Sequence, residues 1–352
     1  MFLVGVIGLG MGRNHAKGVL KVAEKMTRPG QPELDQPVLY ALCDIDKEKL
    51  RKVGEELRVE HLYEDYREML ADPKLDAVII ATPDQDHRQM AQDALESGKH
   101  VLCEKPLALT REDLEAIVRS ARQSGKIFMV GQICRFTPGF QMAKDLIQKG
   151  TIGELTYVES EYAHDYTEIY RAGTWRSDPA RNGVVGGGCH AVDLLRWIAG
   201  DPDEVMAYGT HKTFWEITTY DDTHVAILHF PKGVIGKVFC SISCRRPYTM
   251  RSVFYGTQGT IITDNTSPSM QLFTYDRITG KLNSEEIPIP IDSHNAAGEF
   301  EAFYEAVQGL RPLDTPAEEG ANTIAVCHAI VESSESGRPV RPKYFSYDIQ
   351  EA

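Results

Sequence analysis

The sequence predicts two domains, a doubly wound α/β half followed by an α+β half on a largely antiparallel sheet. Three observations carry that prediction. The chain has 352 residues, more than one hydrophobic core usually covers. Through residue 131, short apolar runs alternate with capped, amphipathic stretches, the pattern of a parallel sheet with helices on both faces. Beyond it, strand-like runs follow one another with turns instead of helices between them.

The first run, residues 2–7, breaks at Gly8, Gly10, Met11 and Gly12 and continues through Arg13 and Asn14 as a helix start. Strand, glycine loop and helix in that order suit a dinucleotide. Glycines let the backbone turn tightly and approach a pyrophosphate, which then lies at the helix's positive end. The third glycine comes one residue early, with Arg13 at its usual place. A glycine-rich turn without a ligand is the plain alternative.

The second strand, 38–44, is delayed by a loop over 28–37 that holds three prolines. It ends at Asp44, placed to grip the adenosine ribose hydroxyls; a carboxylate there repels a 2′-phosphate and favours NAD over NADP. The other reading makes Asp44 a cap for the next helix. Helices are expected near 46–58 and 64–71, and an apolar strand over 76–83. Asp84 and Asp86 can cap a helix running to Gly98. Strand 101–103 follows, then a helix from the capping box of Thr110 and Asp113 to Gly125, then strand 126–131. The sheet has six strands if none is missed.

After Gly131 a connecting helix closes at Gly150. Strands are expected over 154–166, 203–212, 223–230, 234–243, 250–256, 260–264 and 270–275, and helices over 296–309 and 316–333. The domain division is 1–132 and 133–352, with the final helices able to pack back on the first domain.

Composition narrows the function. The net charge of -13, from 51 acidic and 38 basic residues, argues against nucleic acid or an anionic membrane as partner. No apolar run reaches the roughly 18 residues of a membrane span. The apolar N-terminus lacks a basic region and a cleavage site and reads as a first strand, not a signal peptide. Seven scattered cysteines fit reduced core thiols in a cytoplasm. The remaining histidines form no ligand spacing and Cys240 and Cys244 have no second pair, so no metal is expected.

Three stretches carry candidate chemistry. Lys105 stands at the carboxyl end of a buried strand, where open α/β sheets bind ligands, and Pro106 holds it extended. An ammonium there can stabilise charge developing on a substrate oxygen. Gly186, Gly187 and Gly188 open a helix whose first turn carries His190, able to accept a hydroxyl proton near neutral pH; Asp193 and Trp197 share its face. The plain alternative is a core histidine held by Asp193. Finally, period-two alternation puts Tyr162, His164 and Tyr166 on one strand face, near Thr174, Trp175 and Arg176. That cluster suits a polyhydroxylated ligand, or else is an aromatic face packed on a helix.

The glycine loop, Ala81-Thr82-Pro83 with His87, Glu104-Lys105-Pro106, Arg135-Phe136 and the Gly-Gly-x-His-x-x-Asp pattern at 187–193 resemble the glucose–fructose oxidoreductase/inositol dehydrogenase/rhizopine-catabolism (Gfo/Idh/MocA) family. The resemblance spans nearly the whole chain. It implies a Rossmann domain for NAD(P) plus an α+β domain with an open, mainly antiparallel sheet, assembled through that sheet as a homodimer or homotetramer. It implies hydride transfer between nicotinamide and a secondary alcohol or ketone of a sugar, glycoside or cyclitol. Lys105 and His190 would be the catalytic pair, with a cis bond before Pro106. Thr82, Pro83, His87, Glu104, Lys105 and Arg135 would join the glycine loop and Asp44 around the cofactor.

One departure stands out. Inositol dehydrogenase-like members carry an aspartate four residues before the histidine, where this chain has Gly186. Asp165, Asp178 and Asp193 are the candidate replacements, with Tyr166 in support. That gap keeps one rival open, redox-assisted glycoside cleavage with retained NAD. A non-catalytic NAD- or sugar-binding sensor is a second alternative, against which the intact Lys105 and His190 argue.

Overall fold

A computed structural model of the chain describes residues 1–26, 35–170 and 175–346. Most of the proline-rich loop, and Thr174, lie outside the described residues. The chain forms two compact units. The first comprises Met1–Ile133 and Asn295–Ala321, with Ser346; the second comprises Cys134–His294 and Asn322–Phe345.

In the first unit the elements run β1 (Phe2–Ile7), α1 (Gly12–Met26), β2 (Pro37–Cys43), α2 (Lys47–Leu57), β3 (His61–Tyr63), α3 (Tyr66–Leu70), β4 (Ala77–Ile80), α4 (His87–Glu96), β5 (His100–Glu104), α5 (Arg111–Ser124) and β6 (Phe128–Gly131). The six strands are parallel in the order β3-β2-β1-β4-β5-β6. This is the order of a doubly wound dinucleotide-binding sheet, with its switch point between β1 and β4. All four residues of β4 are buried, as a strand covered on both faces requires. The strand the sequence reading does not name is β3, a three-residue edge strand with two exposed positions, too short to show a period.

Local chemistry accounts for the helix ends. Asp46, not Asp44, caps α2 by accepting from Lys49 N at 3.0 Å. Thr110 Oγ1 accepts from Asp113 N at 3.2 Å and donates to Asp113 Oδ2 at 2.9 Å. The expected cap at Asp86 does not form. A 3-10 turn at Asp84–Asp86 runs straight into α4, so Asp86 has helical backbone angles and no side-chain cap bond. Gly18 of α1 lets the later helix Ala296–Val307 approach, because a Cβ there would lie 2.8 Å from Ala296 O.

The second unit holds α6 (Pro138–Gln148), β7 (Leu155–Ala163), α7 (Cys189–Ala199), β8 (Glu204–Thr210), β9 (Thr223–His229), β10 (Ile235–Ser241), β11 (Arg251–Gly256), β12 (Gly259–Asp264), β13 (Ser269–Asp276) and β14 (Lys281–Pro288). The eight strands are ordered β14-β13-β12-β11-β7-β10-β9-β8. Only β7 and β10 pair in parallel; the other pairs are antiparallel. β14 lies beyond the last expected strand. It is an exposed edge strand of mostly polar and charged residues, so no buried alternation marks it. Helix α8 (Ala296–Val307) belongs to the first unit, and α9 (Ala317–Ser336) passes from the first to the second after Ala321. Among the described residues no helix is long and apolar enough to cross a membrane.

Candidate functional site

The glycine loop divides its work among three positions. Gly8 has φ +85, and a Cβ there would lie 2.7 Å from Ala81 O. Only glycine makes that turn against β4's end. A Cβ on Gly10 would meet nothing within 4 Å, so the loop backbone faces open space there. Gly12, at the start of α1, would press a Cβ to 2.8 Å from Val6 Cγ1. Tight turn, open approach and close helix–strand packing are what a pyrophosphate loop needs, and Gly12 fills the third role one residue early. The residues fit a dinucleotide. Met11 and Asn14 sit exposed beside this space, whereas the Arg13 guanidinium turns to Glu56 at 2.7 Å. Arg13 therefore borders the loop through its main chain.

Asp44 directly follows β2 and is buried. Its carboxylate accepts from Leu9 N at 2.8 Å and Asp46 N at 2.9 Å, with Lys49 Nζ 3.1 Å away. It thus fastens the glycine loop to the segment that follows β2.

His87 requires a correction. It is fully buried, with Nδ1 2.9 Å from Pro106 O and Nε2 3.2 Å from Thr82 O. Carbonyls only accept, so both ring nitrogens donate and the ring is an imidazolium. Its pKa is pushed up to about 10: burial opposes the charge, and Cys103, Asp84 and the Pro106 carbonyl outweigh it. His87 has no surface to offer a cofactor. It ties the Thr82-Pro83 loop to the segment following Lys105, whose bond to Pro106 is cis. Glu104 is likewise buried, clamped between His15 Nε2 at 2.7 Å and Lys105 N at 3.0 Å. Lys105 itself is half-buried at the carboxyl end of β5.

In the second unit His190 is buried on the first turn of α7. Winding begins earlier than expected, in a π-helical turn at Val184–Gly188 that contains all three glycines. Gly187 lets Tyr162 stack on the His190 imidazole, with centroids 5.8 Å apart and planes 24° from parallel; a Cβ on Gly187 would lie 2.6 Å from Tyr162 Cε1. The Tyr162 and Tyr166 hydroxyls meet at 2.5 Å, and His164 packs 4.7 Å from Tyr166 and 4.8 Å from Tyr248. Burial pushes the Tyr162 and Tyr248 phenols well above their ordinary pKa, so both stay neutral donors. The three rings meet, but β7 ends at Ala163, so only Tyr162 lies on the strand. His164 and Tyr166 reach it from the segment beyond, and Tyr248 joins them from a loop that carries no local signal.

Asp193 does not hold His190. Its carboxylate takes a two-pronged ion pair from Arg135 at 2.7 and 2.8 Å and a hydrogen bond from Thr323 at 3.0 Å. This also corrects Arg135, expected at the cofactor. Its guanidinium is buried against Asp193, since a buried carboxylate needs a charged partner. Cys134 is the neighbour the sequence reading missed, with Sγ 3.4 Å from His190 Nδ1.

The other acids serve local structure. Asp165 pairs with Arg245 at 3.1 Å and accepts from Thr167, and Asp178 caps a 3-10 turn through Ala180 N at 2.9 Å. At Gly186 a cation stands where the resemblance implies an acid. A Cβ there would lie 2.2 Å from Arg181 Nη1, and this buried guanidinium bonds to Gly186 O at 3.2 Å and Tyr170 OH at 3.3 Å. Trp175 lies under two guanidiniums, Arg176 at 4.1 Å and Arg181 at 5.2 Å.

Two profiles of one family match the chain. The first, described as an oxidoreductase family with an NAD-binding Rossmann fold, covers residues 2–132. The second, described as a GFO/IDH/MocA C-terminal domain, covers residues 140–262. The chain belongs to the Gfo/Idh/MocA family. Myo-inositol 2-dehydrogenase of Thermotoga maritima is 28% identical, over 96% of this chain and 98% of its own length. Levoglucosan dehydrogenase of Pseudarthrobacter phenanthrenivorans is 27% identical, over 74% of this chain and 72% of its own. A solved structure of levoglucosan dehydrogenase in complex with NADH shares the fold, with a TM-score of 0.88 at 22% identity over 98% of this chain and 100% of the other. As a Gfo/Idh/MocA oxidoreductase, the chain has its NAD-binding Rossmann fold in the first unit, where the glycine loop and Asp44 line the carboxyl edge of the sheet.

Proposed function

We propose that this oxidoreductase transfers hydride between nicotinamide and a secondary alcohol or ketone of a sugar, glycoside or cyclitol. The observation that carries the reading is Lys105 at the carboxyl end of β5, in the same sheet whose glycine loop opens at Gly10. The relatives named for myo-inositol and levoglucosan support the substrate class. Nicotinamide, when bound, supplies the two-electron acceptor or donor. In the oxidation direction His190 takes the hydroxyl proton and Lys105 stabilises the alkoxide oxygen. Tyr162, His164, Tyr166 and Tyr248 supply hydroxyl and imidazole groups for a polyhydroxylated substrate.

NAD is the preferred cofactor in this reading, because Asp44 stands at the ribose position. A homodimer or homotetramer forms through the second unit's sheet. Exposed Tyr208, Val225, Ile227, Ile235 and Tyr255 support this, as cross-strand register places Tyr208 beside Val225 on one open face.

The test is turnover on a panel of sugars and cyclitols with NAD+ and NADP+. Lys105→Ala and His190→Ala should each lower kcat by roughly 100-fold or more. Turnover by Lys105→Ala close to wild type on a good substrate would remove the role given to that residue.

A further inference from the structure

Behind Lys105, three titratable side chains from three elements of the first unit converge without solvent. His15 of α1, Glu104 of β5 and Glu299 of α8 are 1%, 6% and 0% exposed. Glu104 bonds His15 Nε2 with one oxygen and Lys105 N with the other, at 2.7 and 3.0 Å. On the far side of the ring, Glu299 Oε2 stands 3.7 Å from His15 Nδ1. Among the described residues neither Glu299 oxygen nor His15 Nδ1 has a hydrogen-bond partner. Gly131 of β6 flanks this carboxyl, a Cβ there lying at an ordinary contact distance of 3.6 Å from Glu299 Oε1.

An ionised carboxylate without a bonded partner is not stable in such a place, and the usual resolution is to keep its proton. The charged groups that act on Glu299 are His15, Glu104 and Lys105, drawn from α1 and the end of β5. We infer that Glu299, His15 and Glu104 form a buried titrating array that positions Lys105, with Glu299 as the member that gives up the proton. The inference rests on the role proposed for Lys105.

The electrostatics agree with the geometry. For Glu299, burial is the largest influence and holds its carboxyl up to about 8. For Glu104 burial pushes upward, but the His15 bond and charge win and bring it to about 2. Burial pulls His15 down, and the two carboxylates raise it on balance. At neutral pH the array therefore holds Glu104 as the carboxylate and Glu299 neutral, with the His15 imidazole between them drawn toward its protonated form. When Glu299 releases its proton to solvent, the array gains one negative charge beside Lys105. That charge holds the ammonium against deprotonation under alkaline conditions, where alcohol oxidation is favoured because it releases a proton.

The test uses the unliganded full chain, so it does not depend on finding a substrate. Infrared difference spectra of wild type across pH should show a protonated-carboxyl C=O band that survives neutrality and disappears around pH 8. Glu299→Gln, a neutral isostere, should lack the band. The rate of Lys105 acylation by an amine reagent, read by mass spectrometry, should reach half-maximum about one pH unit lower in Glu299→Gln, a tenfold change in the ammonium equilibrium. Absence of the band in wild type overturns the array, and identical acylation profiles overturn its action on Lys105. If both results are positive and Lys105→Ala still turns over normally, the array stands and the catalytic role of Lys105 falls.

Discussion

Sγ of Cys134 lies 3.4 Å from Nδ1 of His190 and 3.3 Å from Sδ of Met250. With the Cys134 S–H donating to the methionine sulfur, Nδ1–H of His190 donates to Cys134 Sγ and Nε2 is the ring's acceptor nitrogen. A soft, neutral pair thus holds one side of the imidazole. Losing one neutral hydrogen bond of this kind is worth about 1 kcal/mol, roughly fivefold in rate. Cys134→Ala should therefore lower kcat about fivefold with little change in KM, and Cys134→Ser should restore most of it. Equal kcat pH profiles for wild type and Cys134→Ala would show that the contact only fills space.

The glycine loop separates backbone need from ligand need. Gly10→Ala meets no atom within 4 Å and Gly10 is not at positive φ. Its Tm should stay near wild type, while NAD affinity falls tenfold or more, about 1.4 kcal/mol, by calorimetry. Gly8→Ala should instead unfold early, because the residue has φ +85 and abuts Ala81 O. A Gly10→Ala protein that binds NAD as wild type does would take the pyrophosphate away from this loop.

His87 makes stability depend on alkaline pH. The native ring holds its proton to about pH 10 against an ordinary 6.5. Between those values the native state binds more protons than the unfolded chain, so stability falls as pH rises. His87→Gln should lose about 2–3 kcal/mol at neutral pH from two charge-assisted bonds and show a flatter decline toward pH 10. Chemical denaturation at several pH values measures both.

Asp193→Asn leaves Arg135 buried without its carboxylate. Breaking such a pair from one side costs about 3–5 kcal/mol, read as a shift in denaturation midpoint. A loss below about 1 kcal/mol would mean the pair is not the anchor its geometry suggests.

Glu299 acts on stability in the same direction as His87, in a lower window. The native carboxyl keeps its proton to about pH 8 whereas the ordinary value is 4.5. Across that interval the native state binds more protons, so stability falls as pH rises through it. Glu299→Gln does not titrate, and its Tm relative to wild type should climb steadily between about pH 5 and pH 8. A constant difference would mean that Glu299 titrates alike in both states.

Period and punctuation were enough for much of the fold. Apolar runs such as Ala77–Ile80, the capping box at Thr110 and the glycines of the first loop act within a few residues, so their consequences can be read in the order they are written. The edge strands β3 and β14 escaped because an exposed strand has no buried face to impose alternation. Lys105 and His190 were visible as residues with chemistry at the ends of their elements. Their surroundings were not.

What the sequence by itself determined, then, was the doubly wound first half, the antiparallel second half, and the glycine, lysine and histidine motifs of a Gfo/Idh/MocA oxidoreductase. Only the tertiary structure decided who partners whom. Asp193 chose Arg135, 58 residues away, over His190 on its own helix. Arg181 filled the space beside Gly186, and Glu299 reached His15 across most of the chain length. The reason is physical. Helix and strand preferences are local free energies, but a buried charge must be matched by whatever group the packing brings within a few ångströms, and sequence distance does not enter that choice.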